Sequence, residues 1–271
     1  MTAAVDIERL AGSHIRARHA GFWADLWSVA GRAVRRLPRE PETILPALIV
    51  PVFFYIVNVG ALGPVAEQAS GLDFKAFQLP VAIIFAVTGL SQANALVTDI
   101  QTGYFDRLLL TPIKRLALLL GLMVADFVLV VTLTLPVILL GFVTGVRFET
   151  GVIGILAFIL MAAAWGLCFT GFPYAIALKT GNPGAVASSF ILFFPFAFLT
   201  TSFMPLEFLS GWLSTVAKVN PVTYLLAGLR ALVMEGWAWA PIGKGLLAVA
   251  VVGTVSLSMA LAALRGRVRR G

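Results

Sequence analysis

Charge is scarce in this sequence. Only 12% of its 271 residues are Asp, Glu, Lys or Arg, about half the share of an ordinary soluble domain. That excludes a globular fold with a solvated surface. Thiols are scarcer still. Cys168 is the one cysteine, and a single thiol forms neither an intrachain disulfide framework nor a cysteine-based metal cluster. Histidine is limited to His14 and His19 in a basic tail, with no H-E-x-x-H, so no metal site is expected. A G-x-x-x-x-G-K-[ST] cradle is missing too. Gly243-Lys244-Gly245 comes nearest, with Ala238 in the place of the first glycine and Gly245 in that of the Ser or Thr. No serine of the spans stands in a G-x-S-x-G elbow. Catalysis within this chain is not expected, nor a cofactor of its own.

What fills the space left by charge is apolar. Hydrophobic residues make up 59% of the chain, and mean hydropathy is +0.95. About 20 consecutive apolar residues cross a bilayer core of about 30 Å. With no water there, the backbone closes its own hydrogen bonds in helices. The runs predict an all-α polytopic membrane protein with six transmembrane helices, near 44–63, 79–98, 116–141, 152–178, 184–203 and 242–264. One membrane domain accounts for 1–271: a tail and amphipathic helix over 1–43, the six-helix body over 44–264 and a basic tail over 265–271. More than forty residues, many of them charged, precede the first apolar run, and they lack the order of a signal peptide.

Residues 22–37 repeat at about 100° per residue. Phe22, Leu26, Val29, Ala30, Ala33, Val34 and Leu37 fall on one side, and Asp25, Ser28, Arg32, Arg35, Arg36 and Arg39 on the other. This predicts an interfacial helix with Trp23 and Trp27 at headgroup level and the polar face toward water. Pro38 and Pro41 end it. The net charge of +7 and pI near 10.1 do not point to nucleic acid. Basic residues gather at the termini and in the loop with Arg107, Lys114 and Arg115, while the loops after spans one and three hold only Lys75 and Arg147. That asymmetry orients a membrane protein and meets anionic lipid. It predicts a multi-pass protein of the plasma (inner) membrane with both termini cytoplasmic. Residues 205–240 then lie outside, as short helices dipping into the interface.

Four features invite a functional reading beside a plainer one. Thr88, Ser91, Gln92, Asn94 and Thr98 cluster on one side of a helical wheel in span two; they serve either hydrogen bonds between helices or the wall of a translocation path. Phe190, Phe193 and Phe194 in span five serve either packing and lipid contact or a greasy path for amphipathic cargo. Asp126 is the one acid inside a span; it either snorkels to the inner interface or marks a buried functional site. Residues 101–121, with Tyr104, Arg107, Leu108 and Lys114 near helical spacing and Thr111-Pro112 as a turn, form either an ordinary interfacial loop or a short helix that enters a cleft on a soluble partner.

Three stretches resemble the ABC-2 type membrane subunits of ATP-binding-cassette exporters, and within them the daunorubicin-resistance-like permeases. They are the run 102–113, TGYFDRLLLTPI; the run 203–213, FMPLEFLSGWL; and Asn220-Pro221-Val222-Thr223-Tyr224 with Arg230. The chain departs from the family's usual pattern at Gln101, Ser210 and Leu122. The resemblance implies a half-channel that pairs with a second membrane subunit, identical or related, and with separate ATPase subunits that bind ATP and Mg. It implies that Gly103, Tyr104, Phe105, Asp106, Arg107, Thr111 and Pro112 belong to a coupling helix seated on the ATPase, that the 179–183 turn is a minor second contact, and that residues 22–37 form the connecting helix. Pro205, Glu207, Asn220 and Pro221 would belong to an external gate.

Together these readings predict the membrane subunit of an ATP-driven exporter of a hydrophobic or amphipathic compound: drug, lipid or glycolipid. A polysaccharide exporter of the same family, an ion-coupled secondary carrier with Asp126 as its buried charge, and a membrane-embedded enzyme or assembly scaffold are the other readings. The expected partners are an ABC ATPase, a second transmembrane subunit and membrane lipids, with no nucleic acid.

Overall fold

The computed structural model describes residues 21–39, 41–88, 91–110 and 114–269. Every regular element among them is helical. In chain order the α-helices are α1 (Phe22–Arg36), α2 (Pro41–Ser70), α3 (Phe74–Thr88), α4 (Ala93–Gln101), α5 (Tyr104–Leu110), α6 (Arg115–Val143), α7 (Gly151–Thr180), α8 (Pro183–Phe198), α9 (Gly211–Val219), α10 (Pro221–Arg230) and α11 (Trp239–Val268). Five segments are long and apolar enough to cross a membrane: Ile44–Gln68, Phe74–Gln101, Leu116–Val143, Gly151–Thr180 and Trp239–Val268. They match five of the six expected spans.

The remaining one is shorter than its apolar run. Helix α8 has 16 residues, about 24 Å at 1.5 Å per residue, against about 30 Å for a bilayer core. It stops at Phe198 because other groups take its last carbonyls. Thr200 and Ser202 hydroxyls each donate to Ala197 O, both at 2.7 Å. Asn220 Nδ2 donates to Phe196 O at 2.8 Å and to Leu199 O at 2.9 Å. Its start is equally defined. Gly181 ends α7 in the left-handed region at φ 59, Asn182 caps α8 by accepting from Gly184 N at 2.8 Å, and Pro183 occupies the first turn.

Helix α11 lies along α7, the most extensive helix pairing in the molecule. The main core joins α3, α7, α10 and their neighbours around Phe158, Trp165, Phe193 and Leu225. A second core, at one end, joins α1, α4, α6 and α7 through Val29, Leu96, Leu118 and Leu178, and also takes in Phe105 and Leu264. Helix α2 packs along α3 and sends Tyr55 into the main core, but its other side is bare: Ile49, Val50, Phe53 and Val65 are all more than half exposed, as on a helix facing lipid or another membrane chain.

The amphipathic helix is present as expected, but one residue on its polar side is turned inward. Asp25 is buried, and its Oδ2 accepts from the Lys114 backbone N–H at 3.2 Å. Trp23 and Trp27 are exposed at 69% and 63%. Helix α1 packs against the start of α6 at Gly121, where a Cβ would sit 2.7 Å from Val29 Cβ. Only a glycine allows that approach.

Candidate functional site

Four segments meet at the end of the bundle that carries α1. Gln101 Nε2 donates to Gly181 O at 2.9 Å, tying the loop before α5 to the α7–α8 turn. Arg32 on α1 pairs with Asp99 on α4, Nη2 to Oδ2 at 2.8 Å, and its guanidinium lies 4.7 Å from the Tyr104 ring centroid. The Asp99 hydrogen bond, opposed by desolvation, holds the Arg32 guanidinium above its ordinary pKa. Arg267 on α11 approaches the Phe105 ring at 5.8 Å. We call this the basic end; α1 and the end of α11 both lie here.

Helix α5 is seven residues long and opens after Gly103, at φ 71. Phe105 is 3% exposed and anchors α5 in the second core. Tyr104 is 39% exposed and Arg107 is exposed beside it, three residues on and therefore on the same side of the helix. So one side of α5 is fixed to the bundle and the other is presented outward. The Asp106 side chain, Thr111 and Pro112 lie outside the described residues.

Among the described residues span two is interrupted: Ser91 and Gln92 are not helical and α4 begins at Ala93, so the helical wheel drawn through Thr88, Ser91, Gln92, Asn94 and Thr98 loses its phase. Thr88 and Gln92 are buried, Ser91 is half-buried and Asn94 and Thr98 are exposed. Thr88 Oγ1 accepts from Trp165 Nε1 at 3.0 Å. The freed N–H of Gln92 donates to Asp126 Oδ1 at 2.7 Å, and Tyr174 Oη donates to Asp126 Oδ2 at 2.6 Å. Asp126 is fully buried. It does not snorkel to the interface: it holds the N-terminus of α4 in place, where helix N–H groups lack intrahelical partners and favour an anion.

The phenylalanines of α8 divide. Phe193 is fully buried, between Phe85 at 5.6 Å and Phe169 at 5.5 Å; it is a packing residue. Phe190 is half-buried, and Phe194 is 40% exposed, 5.1 Å from the Phe190 ring. At the opposite end, Pro205 precedes a short 3-10 turn, Leu206–Phe208, and Glu207 lies within it. Asn220 and Pro221 open α10, where Asn220 Oδ1 accepts from Val222 N at 3.0 Å. Asn220 therefore caps two helices at once, the end of α8 and the start of α10.

Arg230 was outside the site set read from sequence. It is 7% exposed and binds Phe77 O at 3.1 Å, Thr201 Oγ1 at 3.0 Å and Thr201 O at 2.8 Å. Burial pulls it down to about 9, which leaves it cationic at neutral pH. The sequence offered it only as the arginine of the third family-like stretch, a lone cation within the otherwise uncharged Leu225–Val233. Tyr174 and Trp165 carried no such signal, since their partners lie 48 and 77 residues away.

A multi-pass helical membrane protein, with a short amphipathic helix docked across one end, is the class this architecture defines. The ABC-2 type transporter family matches residues 24–234, and the chain belongs to that family. It is 25% identical over 210 residues to the daunorubicin resistance ABC transporter permease protein DrrB1 of Streptomyces coeruleorubidus, covering 76% of this chain and 74% of the relative. It is 28% identical over 237 residues to a probable doxorubicin resistance ABC transporter permease protein DrrC of Mycobacterium tuberculosis, covering 86% and 84%. It is 27% identical over 219 residues to the putative transport permease ycf38 of Cyanophora paradoxa, covering 78% and 74%.

Proposed function

We propose that this chain is the membrane-spanning subunit of an ATP-driven exporter that moves a hydrophobic or amphipathic compound, such as a drug, lipid or glycolipid, out across the plasma membrane. A separate ATP-binding-cassette subunit binds ATP and Mg and hydrolyses ATP. A second membrane subunit, identical or related, completes the path. Both termini face the cytoplasm, which puts α5 on the ATPase side.

The observation that carries this reading is the two-sided α5: Phe105 buried below, Tyr104 and Arg107 presented above. A push on an exposed side chain passes to the bundle only if the helix is anchored, and Phe105 supplies the anchor. The relatives' names, which speak of daunorubicin and doxorubicin resistance, support an amphipathic cargo. So do the exposed Phe194 and Phe196 of α8.

The test is co-purification from the native host followed by export in inverted vesicles. The ATPase should come with the chain. Arg107→Glu should break that association and abolish ATP-dependent uptake of the fluorescent probe doxorubicin. Uptake that survives Arg107→Glu unchanged would refute the coupling role.

A further inference from the structure

At the end opposite α1, the 201–208 segment, helix α10 and the start of α11 line a cavity of about 640 Å³. Its size is that of small-molecule sites, which are mostly apolar with few polar groups. Phe77, Leu206, Phe208 and Met234 supply the apolar wall. Its depth is set by a tight crossing of α10 on α11: a Cβ on Gly245 would lie 3.0 Å from Tyr224 O, and one on Gly228 3.0 Å from Pro241 O.

Two polar groups in that wall have capacity to spare. Arg230 is buried with its guanidinium 3.4 Å from the Phe77 ring centroid, and no carboxylate comes within ion-pairing distance of it among the described residues. Its guanidinium has five N–H donors, and three hydrogen bonds account for it here. Thr223 is 6% exposed, and its Oγ1 has no hydrogen-bond partner. Buried polar atoms are rarely left so, and a buried cation without an anion costs far more than an exposed one. Glu207, Glu235 and Lys244 also border the cavity, but all three are exposed, where water screens them. The unscreened charge is Arg230.

We propose that this cavity binds the acidic headgroup of an amphipathic molecule. Its phosphate or carboxylate oxygens meet Arg230 and Thr223, and its chain lies along Phe77, Leu206 and Phe208. Guanidinium suits such groups because its planar fork matches two oxygens at once. Inorganic phosphate lacks the apolar body that the wall of Phe77, Leu206 and Phe208 would hold, so it does not compete.

The full chain is reconstituted in phosphatidylcholine nanodiscs with dodecyl phosphate bearing a diazirine at mid-chain. After irradiation, labelled peptides are read by mass spectrometry. The label is expected on residues 201–208 and 223–244. It is displaced by unlabelled dodecyl phosphate, not by dodecyltrimethylammonium or inorganic phosphate. Ala227→Phe fills the cavity without touching the Arg230 bonds and is expected to cut labelling by about tenfold or more. Thr223→Val should weaken it several-fold with folding intact. Discs doped with phosphatidylglycerol separate two sources: displacement assigns the headgroup to a membrane lipid, and no displacement assigns it to a soluble amphipath. Labelling unchanged by Ala227→Phe, or displaced equally by the ammonium, would overturn the site. No nucleotide enters the assay, so its failure leaves ATP-driven export standing, and failed export leaves the cavity standing.

Discussion

Arg32 Nη2 stands 2.8 Å from Asp99 Oδ2, and this contact fastens the amphipathic helix α1 to the broken span two. The Arg32 side chain is 40% exposed and that of Asp99 12%. An exposed pair contributes little, from nothing to about 1 kcal/mol, and the Tyr104 ring under the guanidinium adds about 0.5–1 kcal/mol. Arg32→Ala and Asp99→Ala are each expected to lower stability by about 1 kcal/mol, an apparent melting shift of about 2–4 °C. Thermal unfolding of both single variants and the double variant in detergent checks this. Fully additive losses would show that the two groups do not couple.

Gly121 sets how closely α1 approaches the membrane bundle. A methyl group there would meet Val29 Cβ at 2.7 Å, Val29 Cγ1 at 2.8 Å and Leu26 O at 3.1 Å. Overpacking of this kind costs about 1–3 kcal/mol. Gly121→Ala should therefore expose α1 to limited proteolysis. Val29→Ala in the same chain removes the Cγ1 clash but leaves the Cβ clash, so protection returns only in part. Full protection of Gly121→Ala by itself would mean that α1 is not seated there.

Asp126 is a test of what a buried acid does in a membrane helix. It accepts one bond from Gln92 N and one from Tyr174 Oη. Asp126→Ala leaves both donors buried without acceptors, at about 1–3 kcal/mol each. Asp126→Asn keeps an oxygen for Gln92 N and presents an amide to the tyrosine oxygen. The expected order of thermal stability is wild type, then Asn, then Ala. An ion-coupled role predicts otherwise: Asn would match wild type in stability yet stop transport.

The contrast between these sites shows what was legible in the sequence. Helix α1 was readable because period and composition are local: apolar positions at 3.6 spacing, tryptophans beside them. The Gly181-Asn182-Pro183 turn was readable for the same reason, since a left-handed glycine, a capping asparagine and a first-turn proline are neighbours in the chain. The break in span two was not. No proline marks Thr88–Ala93; the acceptor for the freed N–H comes from Asp126, 34 residues on. The early end of α8 was hidden likewise, because Asn220 reaches back 24 residues to Phe196 O. Asp25 was assigned to water from its place on the wheel, and only the packing of α1 against α6 brings Lys114 N–H to it. The run 102–113 was legible as a motif, and the burial of Phe105 between the exposed Tyr104 and Arg107 was not.

That division gives a prediction within a single helix. Phe105→Ala removes a buried side chain and should cost about 3–5 kcal/mol, visible as a large loss of folded protein. Arg107→Glu changes an exposed residue and should leave melting within about 0.5 kcal/mol of wild type, while abolishing ATPase association. Detergent melting curves alongside co-purification separate the two. If both variants lost the partner and melted normally, Phe105 would be a contact residue and not an anchor.

Asn220 joins the two helices that shape the end opposite α1. Its amide nitrogen serves Phe196 O and Leu199 O, and its oxygen serves Val222 N. The residue is 7% exposed, so water replaces little of what is lost. Asn220→Ala strands two carbonyls and one N–H, about 1–3 kcal/mol for each group left unpaired, less what relaxation recovers. Asn220→Asp is more informative. The aspartate still caps α10, because its oxygen accepts from Val222 N, but it points a carboxylate at two carbonyl oxygens where the amide had donated. If capping α10 were its main task, Asp would match Asn, since the two rank together as N-caps. If joining α8 to α10 is the task, Asp should be the worse of the two variants, with the α8 end freed. Hydrogen exchange of the amides from 196 to 202 distinguishes them, and faster exchange in Asn220→Asp than in Asn220→Ala is the expected result.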